Sequence, residues 1–341
     1  VTAPVGGSDW IRFGLNDAAS SLSLPSLSST ATAGAGLVYF DVTGGTQSLP
    51  SLTNATRTIF EVDGGGSISL GPVASLVDTT VAARTGGHFG EAGSASTYSS
   101  RGLVYDDGIY YQTYTFTTPL VTATDPGSVV DLSSVTSIDA GYGPVANDIN
   151  RQEITASNGG SIDLSSVTTV TAPVGGSDWI RFGLNDATSS LLLPLLSSMT
   201  SAGSGRIYFD VTAGTLSLPS LANVSRGLFD ADGGGLISVG PLATMVDSTI
   251  GVRAGGRFQE AGTSSTFTST GLAFNDGSLS PYSVATYTTP LAAATDAGST
   301  IDLSSVTSID AGYAQQGNDY NYQEITASSG ATVDLSGLTT V

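Results

Sequence analysis

The chain carries the same text twice, and this constrains its fold more than any other feature. Val1–Ala18 (VTAPVGGSDWIRFGLNDA) recurs unchanged as Val170–Ala187, and the likeness runs through the rest of each copy. The first unit spans 1–169 and the second 170–340, the second being longer by two residues near Asp276–Thr286, where the first reads Asp107–Thr115. The closing Thr339-Thr340-Val341 matches Thr168-Thr169-Val170, so the text leaves off at the point in the repeat where it began. A chain in phase at both ends reads as a window on a longer array. Arrays supply length, surface and valency, and seldom enclose a single active site.

A shorter repetition lies inside each unit. The pattern apolar-x-Leu-(Pro/Ser)-x-(Leu/Val) appears at Leu22–Leu27, Ser48–Leu52, Ile68–Val73, Val130–Val135 and Ile162–Val167, and returns in the second unit from Leu193 to Leu338. Successive motifs stand 21 to 32 residues apart, except for one step of 62 from Val73 to Val135. That long step predicts either two further coils with weaker signatures or one coil with a large loop. Before most motifs runs an alternating segment and a Gly-rich turn, as in Glu153-Ile-Thr-Ala156-Ser-Asn-Gly-Gly-Ser-Ile162. Alternation of apolar and polar residues broken by Gly, Asn and Asp predicts strand, turn, strand. No helical periodicity is sustained. Short strands at this spacing, each with a few inward apolar positions, fit single turns of a parallel β-solenoid, which bury their faces only by stacking. Six or seven coils per unit give a rise of roughly 30 Å at the inter-strand spacing. A propeller needs a steadier period of about 40–50 residues, and tandem Ig-like domains leave the inner motif unexplained.

Composition fits this expectation. A hydrophobic share of 40% supports a packed interior, while only 11% of residues are charged and the net charge is −19. All ten basic residues are Arg; Lys and Cys are absent. So acidic a chain repels nucleic acid and anionic membrane and attracts divalent cations. Without disulfides, stability must come from continuous packing and hydrogen bonding. No apolar run approaches the ~20 residues of a membrane span.

The strings GGSIDLSSVTTV (Gly159–Val170), GSVVDLSSVTSIDAG (Gly127–Gly141) and ITASNGGSIDLSSV (Ile154–Val167) resemble repeats of very large bacterial surface and extracellular proteins of adhesin-like type. The resemblance implies right-handed parallel β-helices and an extracellular fibre, stalk or matrix component, and it carries no catalytic residues. The chain departs from a simple array at Thr79–Thr118, an irregular insert where uniform coil stacking is in doubt.

Chemistry-bearing residues are few. The one histidine, His88, is matched by Arg257 in the second unit, so a duplicated site is intact in one unit at most. Asp106, Asp107 and Asp276 sit in Asp-Gly turns, where Asp commonly caps backbone. With no Cys, Lys or second His, no nucleophile–base set can be assembled, and the expectation is that the chain is not an enzyme. Calcium is the one ion suggested, with no organic cofactor. Asp63 and Asp232 (each followed by Gly-Gly-Gly), Asp17 and Asp186 (each after Asn), and the pairs Asn147-Asp148 and Asn318-Asp319 put oxygen ligands in turns of both units. Their alternative reading is ordinary turn chemistry. Asn54-Ala-Thr56 and Asn223-Val-Ser225 are N-glycosylation sequons at matching places, each just after a Leu-Pro-Ser-Leu stretch on an expected exposed turn. The aromatics Trp10, Phe13, Tyr39, Phe40 and Phe60 and their partners Trp179, Phe182, Tyr208, Phe209 and Phe229 are expected as stacked interior rings. Tyr110, Tyr111 and Tyr114 cluster in the insert as a candidate contact surface.

These observations lead to a structural subunit of an extracellular filament, fibre or cell-surface stalk. Its partners are further copies of itself and covalent glycans, with no nucleic acid and no membrane span in this segment. The competing expectation is an adhesin shaft that binds carbohydrate or a cell surface.

Overall fold

Strict inside–outside alternation makes each short strand half of a wall, and the walls close only because every coil lies on the one before it. The computed structural model describes residues 1–6, 9–32, 34–93, 95–101, 115–141, 149–201, 203–270, 286–312 and 320–341. Among these every element is a strand and every pairing is parallel. The molecule is a parallel β-solenoid with three faces. The first face is one 12-stranded sheet running from Trp10–Leu15 to Tyr320–Ser328, one strand per coil. The second face is a 6-stranded sheet followed by a 5-stranded one. The third is a 10-stranded sheet preceded by the short pair Thr2–Ala3 and Ala31–Thr32. Each unit therefore contributes six coils, and a coil is one strand from each face, as in Thr58–Val62, Ser67–Leu70 and Ser75–Val77.

Register places like on like. One inward column of the first face reads Phe13, Phe40, Phe60, Val81, Val121, Ile154, Phe182, Phe209, Phe229, Ile250, Ala292 and Ile325. Phe13, Phe40 and Phe60 stack at ring separations of 5.0 and 5.4 Å, and Phe182, Phe209 and Phe229 at 5.1 and 5.6 Å. Parallel in-register strands hold rings at the offset-stacking distance without further adjustment. Of the aromatics expected inside, the phenylalanines are inside; Trp10, Trp179, Tyr39 and Tyr208 occupy the alternate, outward positions. Alternation explains the correction, since residues one or three steps from an inward Phe must face out.

The corners account for the motifs. In the apolar-x-Leu-(Pro/Ser)-x-(Leu/Val) pattern, the amide of the last residue donates to the carbonyl of the Leu three before it: Leu52 to Leu49 at 3.2 Å, Val135 to Leu132 at 2.9 Å, Val167 to Leu164 at 3.0 Å. This is a β-turn from the second face to the third, with both apolar ends in the core and Pro50 favoured at its second position. The Asp of the Asp-Leu-Ser-Ser strings caps the same corner, Asp163 accepting from Ser165 N at 2.8 Å and Asp131 from Ser133 N at 2.9 Å. Between the first and second faces the Asn158-Gly159-Gly160 turn uses each glycine differently. Gly159 sits at φ 87°, a left-handed conformation costly for residues with a Cβ. A Cβ on Gly160 would lie 2.2 Å from the Ala123 carbonyl oxygen of the coil beneath.

The long step from Val73 to Val135 holds one additional coil with a degenerate motif, Thr80–Arg84, His88–Glu91 and Ser96–Ser99, stacked in parallel on both neighbours, with a register shift between Ser96 and Thr97 where it meets Val135–Asp139. Over its described residues 79–93 and 95–101, the insert expected at Thr79–Thr118 thus forms a solenoid coil. Replacing Phe209 by Ala removes the middle ring of a fully buried stack and is expected to cost about 3–5 kcal/mol. A denaturant titration would register this as a lowered midpoint, whereas an unchanged midpoint would contradict the stacked core.

Candidate self-stacking interface

The join between the two units is an ordinary coil-on-coil contact. Ile149–Ser157, the last first-face strand of unit one, pairs with Trp179–Leu184, the first complete one of unit two, in the register Arg151 to Trp179, Gln152 to Ile180, Glu153 to Arg181, Ile154 to Phe182, Thr155 to Gly183 and Ala156 to Leu184. Ser161–Asp163 pairs with Ser190–Leu192 and Thr169–Ala172 with Ser198–Ser201. Outside the core, the Arg151 guanidinium lies 5.7 Å over the Trp179 ring, and Arg181 bridges Glu153 at 3.6 Å and Asp210 at 2.6 Å. These part-buried pairs lie across coil boundaries and help to fix register.

Polar side chains of the upper coil reach down to the turns below. Asp186 accepts from Asn158 N and Ser189 Oγ accepts from Gly159 N, while Asp178 Oδ1, buried, accepts from Asn150 N at 2.8 Å. Asp186 also accepts from the backbone amides and hydroxyls of Thr188 and Ser189, and these bonds, the Thr188 hydroxyl foremost, hold its carboxyl well below the usual carboxylate range.

The equivalent side chains in the first and last coils described are more exposed. Ile180 is wholly buried, and its counterpart Ile11 is 37% exposed; Trp10 is 59% exposed. Val170 is wholly buried, and its counterpart Val341 is 90% exposed. Phe13, Leu24 and Leu27 at one end and Ile325, Val333, Leu335 and Leu338 at the other are only partly buried against the core. Residues 21–23 are not a strand, whereas Ser190–Leu192, resting on Ser161–Asp163, is one.

The remaining candidates fall as follows. Asn54 and Asn223 are exposed, but each opens a third-face strand, Asn54–Thr56 or Asn223–Ser225, and not a turn. Their carbonyls accept from the next coil, from Ser75 Oγ at 2.8 Å and Thr244 Oγ1 at 3.1 Å. Asp17, like Asp186, is a turn cap, accepting from Ala19 N, Ser20 N and Ser20 Oγ. Asp63 accepts from Gly64 N at 2.6 Å, and Asp232 is bridged by Arg253 at 2.8 Å. Among the described residues no three His, Asp or Glu side chains converge around an ion position. His88 and Arg257 open matching second-face strands, His88–Glu91 and Arg257–Glu260. Tyr110, Tyr111, Tyr114, Asp106, Asp107, Asp276, Asn147, Asp148, Asn318 and Asp319 lie outside the described residues.

Two features were not singled out in the sequence. On the outer first face of unit two a groove of about 340 Å³ is lined by Tyr208, Asp230, Thr249, Gly251, Arg253 and Pro290. Its Asp230 already accepts from Arg253 at 2.6 and 2.8 Å and from the Tyr208 hydroxyl at 3.1 Å. The second feature is the matched pair Glu91 and Glu260, each two residues after an inward Phe and therefore inward itself. Burial pushes both carboxyls above the usual range, with neighbouring serines offsetting part of the effect; Ser265 Oγ donates to Glu260 at 3.3 Å. The folded chain holds these protons more tightly than the unfolded chain. Their stabilising contribution is therefore full in acid and is lost as pH rises from the unfolded carboxyl value through the raised folded one. The E91Q/E260Q variant is expected to match the parent in acid and exceed it in denaturant midpoint at neutral pH; equal midpoints at neutral pH would refute the assignment.

Comparison of the chain with protein-family models, with curated proteins and with solved structures found no match.

Proposed function

We propose that the chain is a non-catalytic structural segment of an extracellular shaft, a filament or surface stalk whose length is set by the number of stacked coils and whose sides carry N-linked glycans. What supports the reading above all is the unbroken first-face sheet that crosses from unit one to unit two with the same pairing it uses within each unit. Such a body gains length without gaining a new kind of contact, the property a shaft requires. The sparse, acidic surface suits a wet and crowded exterior, where hydroxyls and attached sugars supply solvation. The exposed sequon asparagines leave an outward side for sugar on the third face.

A second reading, an adhesin-type shaft that binds carbohydrate, draws on the groove at Tyr208, Asp230 and Arg253, which offers an aromatic wall beside hydrogen-bonding groups. Saturable binding on a glycan array, lost in Y208A, would favour it over a purely structural role.

Twelve coils at about 4.8 Å give a rod of about 58 Å per 341 residues. Negative-stain images of chains with one, two and four units are expected to show rods of constant width lengthening in proportion; globular particles, or length that does not scale, would sink the shaft. Peptide mapping of native material is expected to find glycan mass on Asn54 and Asn223, abolished by N54Q and N223Q. Unmodified peptides at both sites would remove the glycan from the reading.

A further inference from the structure

Resting on the second reading, in which the shaft binds carbohydrate, we propose that the groove of unit two is a site for one neutral hexopyranose ring of a glycan. The site belongs to unit two alone, because three outward side chains are shorter there than in unit one.

The comparison between the units carries this. Around the groove, Tyr208, Thr249, Arg253 and Pro290 keep the residues of unit one, Tyr39, Thr80, Arg84 and Pro119. Between them runs one outward column, Asp230, Gly251 and Ala293, laid coil on coil in register. In unit one the same column reads Glu61, Ala82 and Thr122. At each of the three levels unit two has the shorter side chain. A methylene is gone from the acid, the alanine has lost its methyl, and the threonine is reduced to its Cβ. Inward neighbours on these strands change in both directions: Val81 and Ala83 become the larger Ile250 and Val252, while Val62 and Val121 become Ala231 and Ala292. The reduction of the outer column is therefore not a general thinning of the unit. Shortening at successive levels about 4.8 Å apart makes a continuous trough.

The groups left in the trough suit a neutral ring bearing hydroxyls. A carboxylate has about four lone-pair sites. On Asp230, Arg253 Nη1 fills two at 2.6 and 2.8 Å and the Tyr208 hydroxyl a third at 3.1 Å, which leaves one acceptor for an incoming hydroxyl. Thr249 supplies a second group. It is 5% exposed and lines the groove, and its buried Oγ1 has no hydrogen-bond partner. A buried hydroxyl left unpaired is costly, and a ligand hydroxyl bonded to it removes that penalty. Thr80 Oγ1 in unit one is unpaired as well, so the hydroxyl alone does not make the site; the room beside it does. The Tyr208 ring presents a negative π face that favours the C–H face of a pyranose. Arg253 is shared between Asp230 and Asp232, the latter at 2.8 Å, so two carboxylates face one guanidinium. That local excess, on a chain of net charge −19, repels acidic and sulfated sugars. A volume of about 340 Å³ stands near the small end of the ~300–1,000 Å³ usual for ligand sites and fits one ring.

Equilibrium dialysis of the 341-residue chain against glucose, mannose, galactose and galacturonate tests this. One site per chain is expected for at least one of the three neutral hexoses, with galacturonate bound more weakly than that hexose. The variant D230E/G251A/A293T writes the column of unit one into unit two. It is expected to keep the parent melting temperature, since a Cβ on Gly251 would lie 3.7 Å from Asp230 Oδ1, an ordinary contact. Its binding is expected to weaken about tenfold or more, the effect of an added methylene in a filled pocket. The reverse variant, E61D/A82G/T122A, is expected to raise the count from one site to two. Undiminished affinity in the refilled chain, two sites in the parent, one site in the reverse variant, or galacturonate bound as tightly as any neutral hexose overturns the assignment. So does a parent that binds none of the three hexoses. Glycan-array binding that survives these failures and is lost in Y208A leaves the carbohydrate-binding shaft standing; a blank array removes both.

Discussion

Everything in this structure depends on the parallel in-register hydrogen-bond ladder between successive coils. Each strand is too short and too shallow to bury anything alone. Laid on its predecessor at the strand spacing, it completes two rows of backbone hydrogen bonds and places its inward residues above equivalent ones. The phenylalanine stacks follow from that geometry: once Phe40 lies over Phe13, the ladder brings Phe60 to the same place one coil later. The demands on sequence are then local: an inward apolar residue at alternate positions, a turn that clears the coil below, and a capped corner.

The same ladder determines what the outside can do. Outward residues also stack, so charges of one coil face those of the next. Arg12 pairs with Asp41, Arg84 with Glu61, Arg181 with Asp210 and Arg253 with Asp230, each across one coil boundary. A surface with few charges thus uses many of them to register one coil on the next.

Much of this was legible in the text. Glu153–Ile162 predicts strand, turn, strand, and the chain forms Ile149–Ser157, a Gly-rich turn and Ser161–Asp163. The Leu-Pro-Ser-Leu pattern marks a recurring feature, though only the fold reveals it as a corner closed by an i to i+3 bond. Elsewhere local signals misled. The degenerate coil at Thr80–Ser99 lacks the motif, because Phe89-Gly-Glu91 puts a carboxyl where the pattern has Leu, and neighbouring coils supply the packing that its own sequence under-specifies. The sequons look like turn residues, yet the coil on either side pulls Asn54 and Asn223 into strands.

The sequence by itself determined the unit: its repeat, its alternation, its turn residues and the strands of its described residues, because these depend on φ/ψ preference and on side-chain period alone. The tertiary structure decided which residues meet. Whether Trp179 covers Arg151 or Trp10 stands open, whether Asp186 caps a turn beneath it, and whether residues 21–23 are strand or loop are properties of the adjacent coil. In a solenoid, contacts are made between residues one coil apart, so identical text has a different fate wherever its neighbour differs.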